Sequence, residues 1–403
     1  MRKSGTFSAR IFIKNAIGLN GAAVTRQEGF RVFDHSFSNA ATLSVNRALS
    51  DFRAGAPVLL RDGDDLQLVL TVEGLEDARL DSLRRAARQP LGLAITANRA
   101  AALGSTAGVV AVVPLDDMMT AARIHELAAA PSMRLSAPAR AGGSAAVAAI
   151  ELAKLAQILP AALILSASDD ARAAIAPQAS EALAADVMHF RAAATRSMKL
   201  ISRARVPLQK NIATEFVIFR DMLGRNMTAV IIGSPDISKP VSVRLHSCCL
   251  TGDVFASRRC DCGDQLQMSL DILSDKGGGV LLYLDQEGCG IGLANKMRAY
   301  GLQDRGLDTI DANTTLGFAT DERRYDAAAR MLELLGIARV SLLTNNPAKL
   351  SGLAEYGIEI TGRIPLLAPV NATNQRYLDA KAKRAGHMLE GLNEPALKVH
   401  SRS

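Results

Sequence analysis

The stretch VSVRLHSCCLTGDVFASRRCDCGDQLQMSLDILSD, Val241–Asp275, decides the fold of the second half of this 403-residue chain. VSVRLHS has the β-branched content of a strand. QLQMSLDILSD places Leu266, Leu270 and Leu273 at i, i+4 and i+7, one face of an amphipathic helix that Gly277–Gly279 terminate. Between strand and helix runs a polar loop holding Cys248, Cys249, Cys260 and Cys262; the fifth and last cysteine, Cys289, follows in QEGCGIG.

Outward from this stretch the same alternation continues. AVIIGS precedes it as a strand and VLLYL follows as a buried one. LANKMRAYGLQ reads as a helix with Leu293, Met297 and Tyr300 on one face, and RYDAAARMLELLG as a helix closing at Gly336. VSLLT runs straight into NNPAKL, with Asn346 as N-cap and Pro347 at the first helical position. Such a strand-to-helix turn is a ready anion site. The first half is alanine-rich: AAVAAIELAKLAQIL and ARAAIAPQASEALAAD read as helices, and PVLLR, LQLVLTV and GVVAVV as strands. ARVPLQK, broken by Pro207, reads as the connection. The fold class is therefore α/β (α+β), two domains, each a mixed sheet with flanking helices. Their bounds are 1–205 and 206–392, and 393–403 reads as a flexible tail.

The bulk composition narrows the function. The chain is 48% hydrophobic and 22% charged, with net charge +7 and a pI near 9.3. MRKSGTFSARIFIKN is too polar for a signal peptide, and AALILSAS is far too short to span a bilayer. The expected compartment is the cytoplasm, where thiols stay reduced. No run of Lys and Arg, no Trp and 4% aromatic content leave little for stacking nucleic-acid bases. The expected partner is a small anion, with neither nucleic acid nor membrane.

The spacing Cys249-x10-Cys260-x-Cys262 brings three soft ligands together ahead of a helix. A closed structural zinc site would show paired C-x2-C spacings; three ligands with one open position is the pattern of catalytic zinc. Buried core cysteines are the plainer reading, but a CxC in a charged segment argues against it. Zinc fits better than copper or an iron–sulfur centre. Cys248 and Cys289 could add a fourth ligand or simply pack. Arg258 and Arg259 could offset the thiolate charge.

HSCCLTGDVFASRRCDCGDQ, LLYLDQEGCGIGL, LDTIDAN, LGFATDERRY and LLTNNPAK together closely resemble GTP cyclohydrolase II, from about Val206 through YLDAKAKRAGHML. The resemblance implies one zinc ion per chain on Cys249, Cys260 and Cys262. It further implies hydrolysis of GTP at C8 with release of formate and pyrophosphate, the first step of riboflavin synthesis. Magnesium is expected with the triphosphate, and a homodimer is the family's assembly. By motif, nucleotide contacts fall on Arg244, Leu245, His246, Ser247 and Gln265, then on Glu287, Gly288, Thr309, Thr344 and Lys349. Cys248 and Cys289 occupy two further positions of that binding set. The proton acceptor falls on Asp321, the proposed nucleophile on Arg323, and Tyr300 matches a tyrosine near the base. Arg298 would add positive charge for the triphosphate.

Two substitutions depart from the family: Cys248 stands for its Glu before the first thiol, and Cys289 for its Arg in QEGRxIGL. Losing one charge-assisted contact costs roughly 1.5–3 kcal/mol of binding. Turnover of another nucleotide, a role in pyrimidine catabolism, or a catalytically impaired metal-binding paralogue are the alternatives this opens. The first half is similar to 3,4-dihydroxy-2-butanone 4-phosphate synthase in ALSDFRAGAPVLL and LGLAITANRAAALG. Its acidic loop is reduced to Asp62, Asp64 and Asp65, and its RxGHTE segment to AGGSAAVAA. Alanine and valine cannot transfer protons, so this half is expected to be a non-catalytic scaffold or dimerisation surface.

Overall fold

The computed structural model describes residues 40–368, apart from 107, 136, 176, 210 and 211, together with Arg384, Gly386 and Met388. The N-terminal MRKSGTFSARIFIKN, the tail 393–403 and all of YLDAKAKRAGHML except Arg384, Gly386 and Met388 lie outside the described residues.

The first half runs α1 (Ala40–Arg53), β1 (Val58–Asp62), β2 (Asp65–Thr71), α2 (Asp77–Ala86), β3 (Gly92–Thr96), α3 (Ala97–Ala102) and β4 (Val110–Pro114). It continues through α4 (Ala121–Ala129), β5 (Arg140–Ala141), α5 (Ser144–Ala156), β6 (Ala161–Leu165), α6 (Asp169–Ile175), β7 (Ser180–Leu183) and α7 (Ala184–Ser197). Its strands form a seven-stranded sheet in the order β5-β4-β3-β6-β2-β1-β7. It is antiparallel except where β7 lies parallel to β1. The alanines of α5 have a packing reason. Ala148, Ala149 and Ala153 are fully buried, and their small side chains let the helix lie close against α1, α7 and the sheet.

ARAAIAPQASEALAAD is not one helix. α6 stops at Ile175 ahead of Pro177, Ser180–Leu183 leaves the helical path to become β7, and α7 begins only at Ala184. Proline breaks the helix, and the open edge of β1 offers a ladder that an alanine-rich helix turn would leave unpaired.

The second half comprises β8 (Lys199–Arg205), β9 (Thr214–Arg220), β10 (Asn226–Gly233), β11 (Val241–Ser247), α8 (Cys262–Asp275) and β12 (Gly278–Leu284). It ends with α9 (Leu293–Gln303), α10 (Thr309–Thr315), α11 (Asp326–Leu334), β13 (Arg339–Leu343), α12 (Pro347–Ala354) and β14 (Glu359–Ile364). The order is β14-β13-β11-β12-β10-β9-β8. β11 is parallel to both β12 and β13, while β8, β9 and β10 form an antiparallel wing. The sheet opens at Lys199, and Arg205 of ARVPLQK still pairs with Glu215. The fold is thus mixed α/β, two seven-stranded sheets each flanked by helices. The carboxyl ends of three adjacent parallel strands, β12, β11 and β13, open together, the place where sheets of this kind bind ligands.

The two halves share a core. Leu93, Ile95 and Ile124 from the first pack in one apolar cluster with Ala299, Leu302, Ala312 and Phe318 from the second. The face of α9 differs from the expectation. Leu293 and Met297 are exposed, while Asn295, Lys296, Ala299 and Leu302 are buried. Asn295 is buried because its amide donates to the carbonyls of Gln157 and Ile291, at 3.1 and 2.8 Å. Polar side chains enter a core where partners wait for them, which apolar periodicity does not register. No helix among the described residues is long and apolar enough to cross a membrane.

Candidate active site

After β11 the chain passes Cys248 and Cys249, makes a π-helical turn over Leu250–Val254, and enters α8 at Cys262. The third thiol therefore opens the helix rather than preceding it. The Sγ atoms of Cys249, Cys260 and Cys262 all lie within 4.8 Å of one another, and those of Cys249 and Cys260 are 3.7 Å apart. Two thiolates bound at 2.3 Å to one tetrahedral ion would be roughly 3.8 Å apart. Among the described residues no other group of three such side chains is gathered in this way. The trio could hold a metal ion. Gly252 makes room for it: a Cβ there would lie 3.0 Å from the Cys260 sulfur, 3.1 Å from the Cys249 sulfur and 3.0 Å from Cys262 Cβ. The Gly252→Ala protein is expected to fold yet to carry well under one metal ion per chain, read by elemental analysis after gel filtration.

The thiolate charge is met by a residue the sequence reading passed over. Lys296 Nζ donates to Cys249 Sγ at 3.0 Å, to Thr251 Oγ1 at 2.9 Å and to Glu287 Oε1 at 2.8 Å. Hydrogen bonds from Cys260 and Cys262, then Lys296, hold the Cys249 thiol far below its usual range. Arg258 and Arg259 do not take this role. Arg258 is exposed, and Arg259 pairs with Asp304 and lies 4.4 Å over the Tyr300 ring. Glu287 also accepts from the Leu250 and Gly288 amides, at 2.6 and 3.0 Å, so one carboxylate ties the thiol loop to the loop after β12.

The thiols line a cleft at the carboxyl ends of the parallel strands. Arg244 is fully enclosed; it donates to the Leu343 carbonyl at 3.1 Å and to Gln265 Oε1 at 2.6 Å, and Gln265 in turn donates to Asp261. Burial lowers Arg244 to about 10, still charged at neutral pH. Arg244 Nε, His246 Nδ1 and Ser247 Oγ are buried without a protein partner. They sit on the strand that faces the cleft. His246 stacks on Tyr283, and both side chains meet Asp253, which also accepts from the Cys249 amide at 2.9 Å.

Burial is the largest influence on His246 and pulls its imidazole below the ordinary value near 6.5; Asp253 opposes it only in part. A base whose folded pKa is depressed contributes stability that is complete above its unfolded pKa and is lost as the pH falls through the folded one. Metal-free protein should therefore lose denaturation midpoint between about pH 7.5 and about pH 5.5. His246→Gln should lose less over the same interval.

Comparison with known proteins places this geometry. Residues 199–365 match the family model "GTP cyclohydrolase II". A GTP cyclohydrolase-2 of Azospirillum brasilense is 42% identical over 369 residues, covering 87% of this chain and 94% of that one. The chain belongs to the GTP cyclohydrolase II family. A second relative of that name, from Xylella fastidiosa, is 40% identical over 360 residues, covering 88% and 90% of the two chains. Among solved structures, a two-domain 3,4-dihydroxy-2-butanone 4-phosphate synthase from A. baumannii aligns at 16% identity with a TM-score of 0.31, over 80% of this chain and 99% of that one. That overlap is too loose to carry an argument.

Of the positions matching the cyclohydrolase II motifs, Arg244, His246, Ser247, Cys248, Gln265, Glu287, Gly288, Cys289, Tyr300, Thr309, Arg323 and Lys349 line the cleft. Leu245 does not; its side chain is in the core, and only its carbonyl takes part, accepting from Lys349 Nζ at 2.7 Å. Thr344 is buried, its hydroxyl accepting from the Asn346 amide, and Asn346 caps Ala348. With Pro347 lacking an N–H, the turn into α12 has used the amides that the strand-to-helix reading reserved for phosphate. Asp321 lies beside the cleft, forked to Arg323 at 2.8 and 2.5 Å. Burial would raise its carboxyl, but Arg323 outweighs it and holds it low. Arg298 is turned away, paired with Glu73 of the first half at 2.8 Å. Gln303 and Asn313 are also on the cleft wall; Asn313 closes the LDTIDAN motif without having been singled out, and Gln303 carried no sequence signal beyond its place in a helix.

Proposed function

We propose that this chain is a zinc-dependent GTP cyclohydrolase II, opening the imidazole ring of GTP at C8 with loss of formate and pyrophosphate, at the start of riboflavin synthesis. The observation that carries the reading is the thiol trio gathered in one cleft with three cations, Arg244, Arg323 and Lys349. Zinc on Cys249, Cys260 and Cys262 would supply a Lewis acid that makes water ionise near neutral pH. Lys296 keeps the first thiol deprotonated and locates the loop. Tyr300, raised to about 12 by burial, holds its proton at neutral pH and lines the same cleft as the sulfurs, where it can donate. Neutral His246, donating through Nε2 to Asp253, turns an acceptor nitrogen and the neighbouring Ser247 hydroxyl towards the base. The cations take the phosphates, with magnesium on the triphosphate.

The first half fits a non-catalytic role. The turn of β1–β2 meets the start of α5 in an open cleft where Ser144 donates to Asp62 and Arg140 lies nearby. Gly143, Ala145 and Ala146 line it where a proton-transfer histidine and glutamate would be needed. A cytoplasmic homodimer completes the reading.

Cys289 and Cys248 favour one second reading, a different nucleotide as substrate. Cys289 lines the cleft in the left-handed conformation, φ 62°. Formate and ring-opened product, followed by mass from GTP and from the other nucleoside triphosphates on zinc-loaded protein, decide between them. Product from another nucleotide and none from GTP would overturn the first. Cys289→Arg is expected to lower the KM for GTP about tenfold, the lower end of what one charge-assisted contact is worth.

A further inference from the structure

Arg99 is the largest fully buried side chain among the described residues, 1% exposed. A buried guanidinium ordinarily needs a carboxylate or a full set of acceptors. Here its side chain donates to backbone carbonyls: Nε to Leu127 at 2.8 Å, Nη2 to Glu126 and Ala130 at 3.0 and 2.8 Å, and Nη1 to Thr315 at 2.8 Å. Three of these close the carboxyl end of α4 in the first half; the fourth is the last residue of α10 in the second. Two helix C-termini, each carrying partial negative charge, thus converge on one cation. Its neighbours act in the same direction. Thr96 Oγ1 donates to the Gly317 carbonyl at 2.6 Å, and Asn98 Nδ2 to that of Phe318 at 2.8 Å. Gly317 has φ +90°, and a Cβ there would lie 2.9 Å from Thr96 Oγ1, so the fit is close.

What this clamp holds is the cleft. Thr309 and Asn313 of α10 line it. The chain leaving α10 through Gly317 and Phe318 reaches Asp321 and Arg323 within a few residues. Between the two members of that pair, Glu322 is bound by Lys154 of α5 at 2.6 Å. The segment 315–322 is therefore fastened at both ends by side chains of the first half, whereas the thiol trio is built wholly within the second.

We infer that Arg99 is a positioning residue for the cyclohydrolase reaction: through Thr315 it sets the α10 wall and the Asp321–Arg323 segment against the metal-binding wall. This deepens, and rests on, the reading of the first half as a scaffold. It gives that half a specific task, which loss of its own proton-transfer groups leaves untouched.

The test uses the full chain loaded with zinc. Arg99→Met should keep its metal but lose about 100-fold in kcat/KM, as displacement of a reacting group by about 1 Å does. Arg99→Lys, which keeps the charge but not the fork, should recover part of that loss. A simple loss of folded protein would lower kcat and leave KM unchanged, while a displaced wall raises the KM for GTP as well. Amide hydrogen exchange over 309–323 should quicken, with 339–354 unchanged. Arg99→Met with wild-type kcat, KM and exchange would overturn the inference. If that variant fails to fold, Asn98→Ala and Lys154→Met decide. Each should lower kcat/KM severalfold at wild-type metal content, and wild-type values in both would overturn it. If the unaltered chain does not turn over GTP, the substrate reading fails on its own, and the exchange comparison alone decides: unchanged protection over 309–323 sinks the inference.

Discussion

Replacing Cys260 with serine is expected to strip the metal and take formate release below detection. A serine hydroxyl stays protonated at neutral pH and does not replace a thiolate, and the two remaining sulfurs make a poor site for an ion that wants at least three protein ligands. Cys260 is buried, 3.7 Å from Cys249, so its loss also leaves that thiolate with one fewer hydrogen-bond partner. Without the ion the fall of about 8 to 9 units in the pKa of water is forfeited. No arrangement of Tyr300 and Arg323 makes up such a term. The measurement is metal per chain together with formate from GTP. A serine protein retaining one firmly held ion and wild-type turnover would mean the trio is not the metal site.

The second large effect belongs to Lys296→Met. Lys296 and Glu287 are each 10% exposed, 2.8 Å apart, and burial, which would lower the ammonium pKa, is outweighed by the Cys249 thiolate and Glu287. Methionine fills the volume without the charge. It leaves Glu287 with the Leu250 and Gly288 amides alone and removes the cation from Cys249. Removing one partner of a buried pair costs about 3–5 kcal/mol. Loss of a group that orients a metal ligand weakens the ion by about 10–100-fold. Urea denaturation of the metal-free chain reads the first and chelator competition the second. A midpoint and metal affinity equal to the parent's would show that the lysine is a bystander. The two experiments separate ligand from support, since Cys260→Ser should abolish metal binding and Lys296→Met only weaken it.

Much of this was readable along the chain. The strand, thiol loop and helix over 241–275, the Asn346 cap with Pro347, and the closing of α11 before Gly336 came out where local patterning put them. Each depends on residues within a few positions of one another. The cysteine trio was legible for the same reason: thirteen residues of spacing already limit how far three sulfurs can part. The misreadings share a different cause. β7 was hidden in an alanine-rich run because its partner, β1, lies more than 100 residues earlier and only pairing makes that segment a strand.

The buried face of α9, the pairing of Lys296 with a thiolate, and the withdrawal of Arg298 to Glu73 belong to tertiary structure alone, as does the seat of Arg99 on a carbonyl 216 residues away. Order of elements and identity of ligands follow from short-range sterics and hydropathy. Where a charge can be buried follows from which distant partner neutralises it, and that is settled only when the two halves pack.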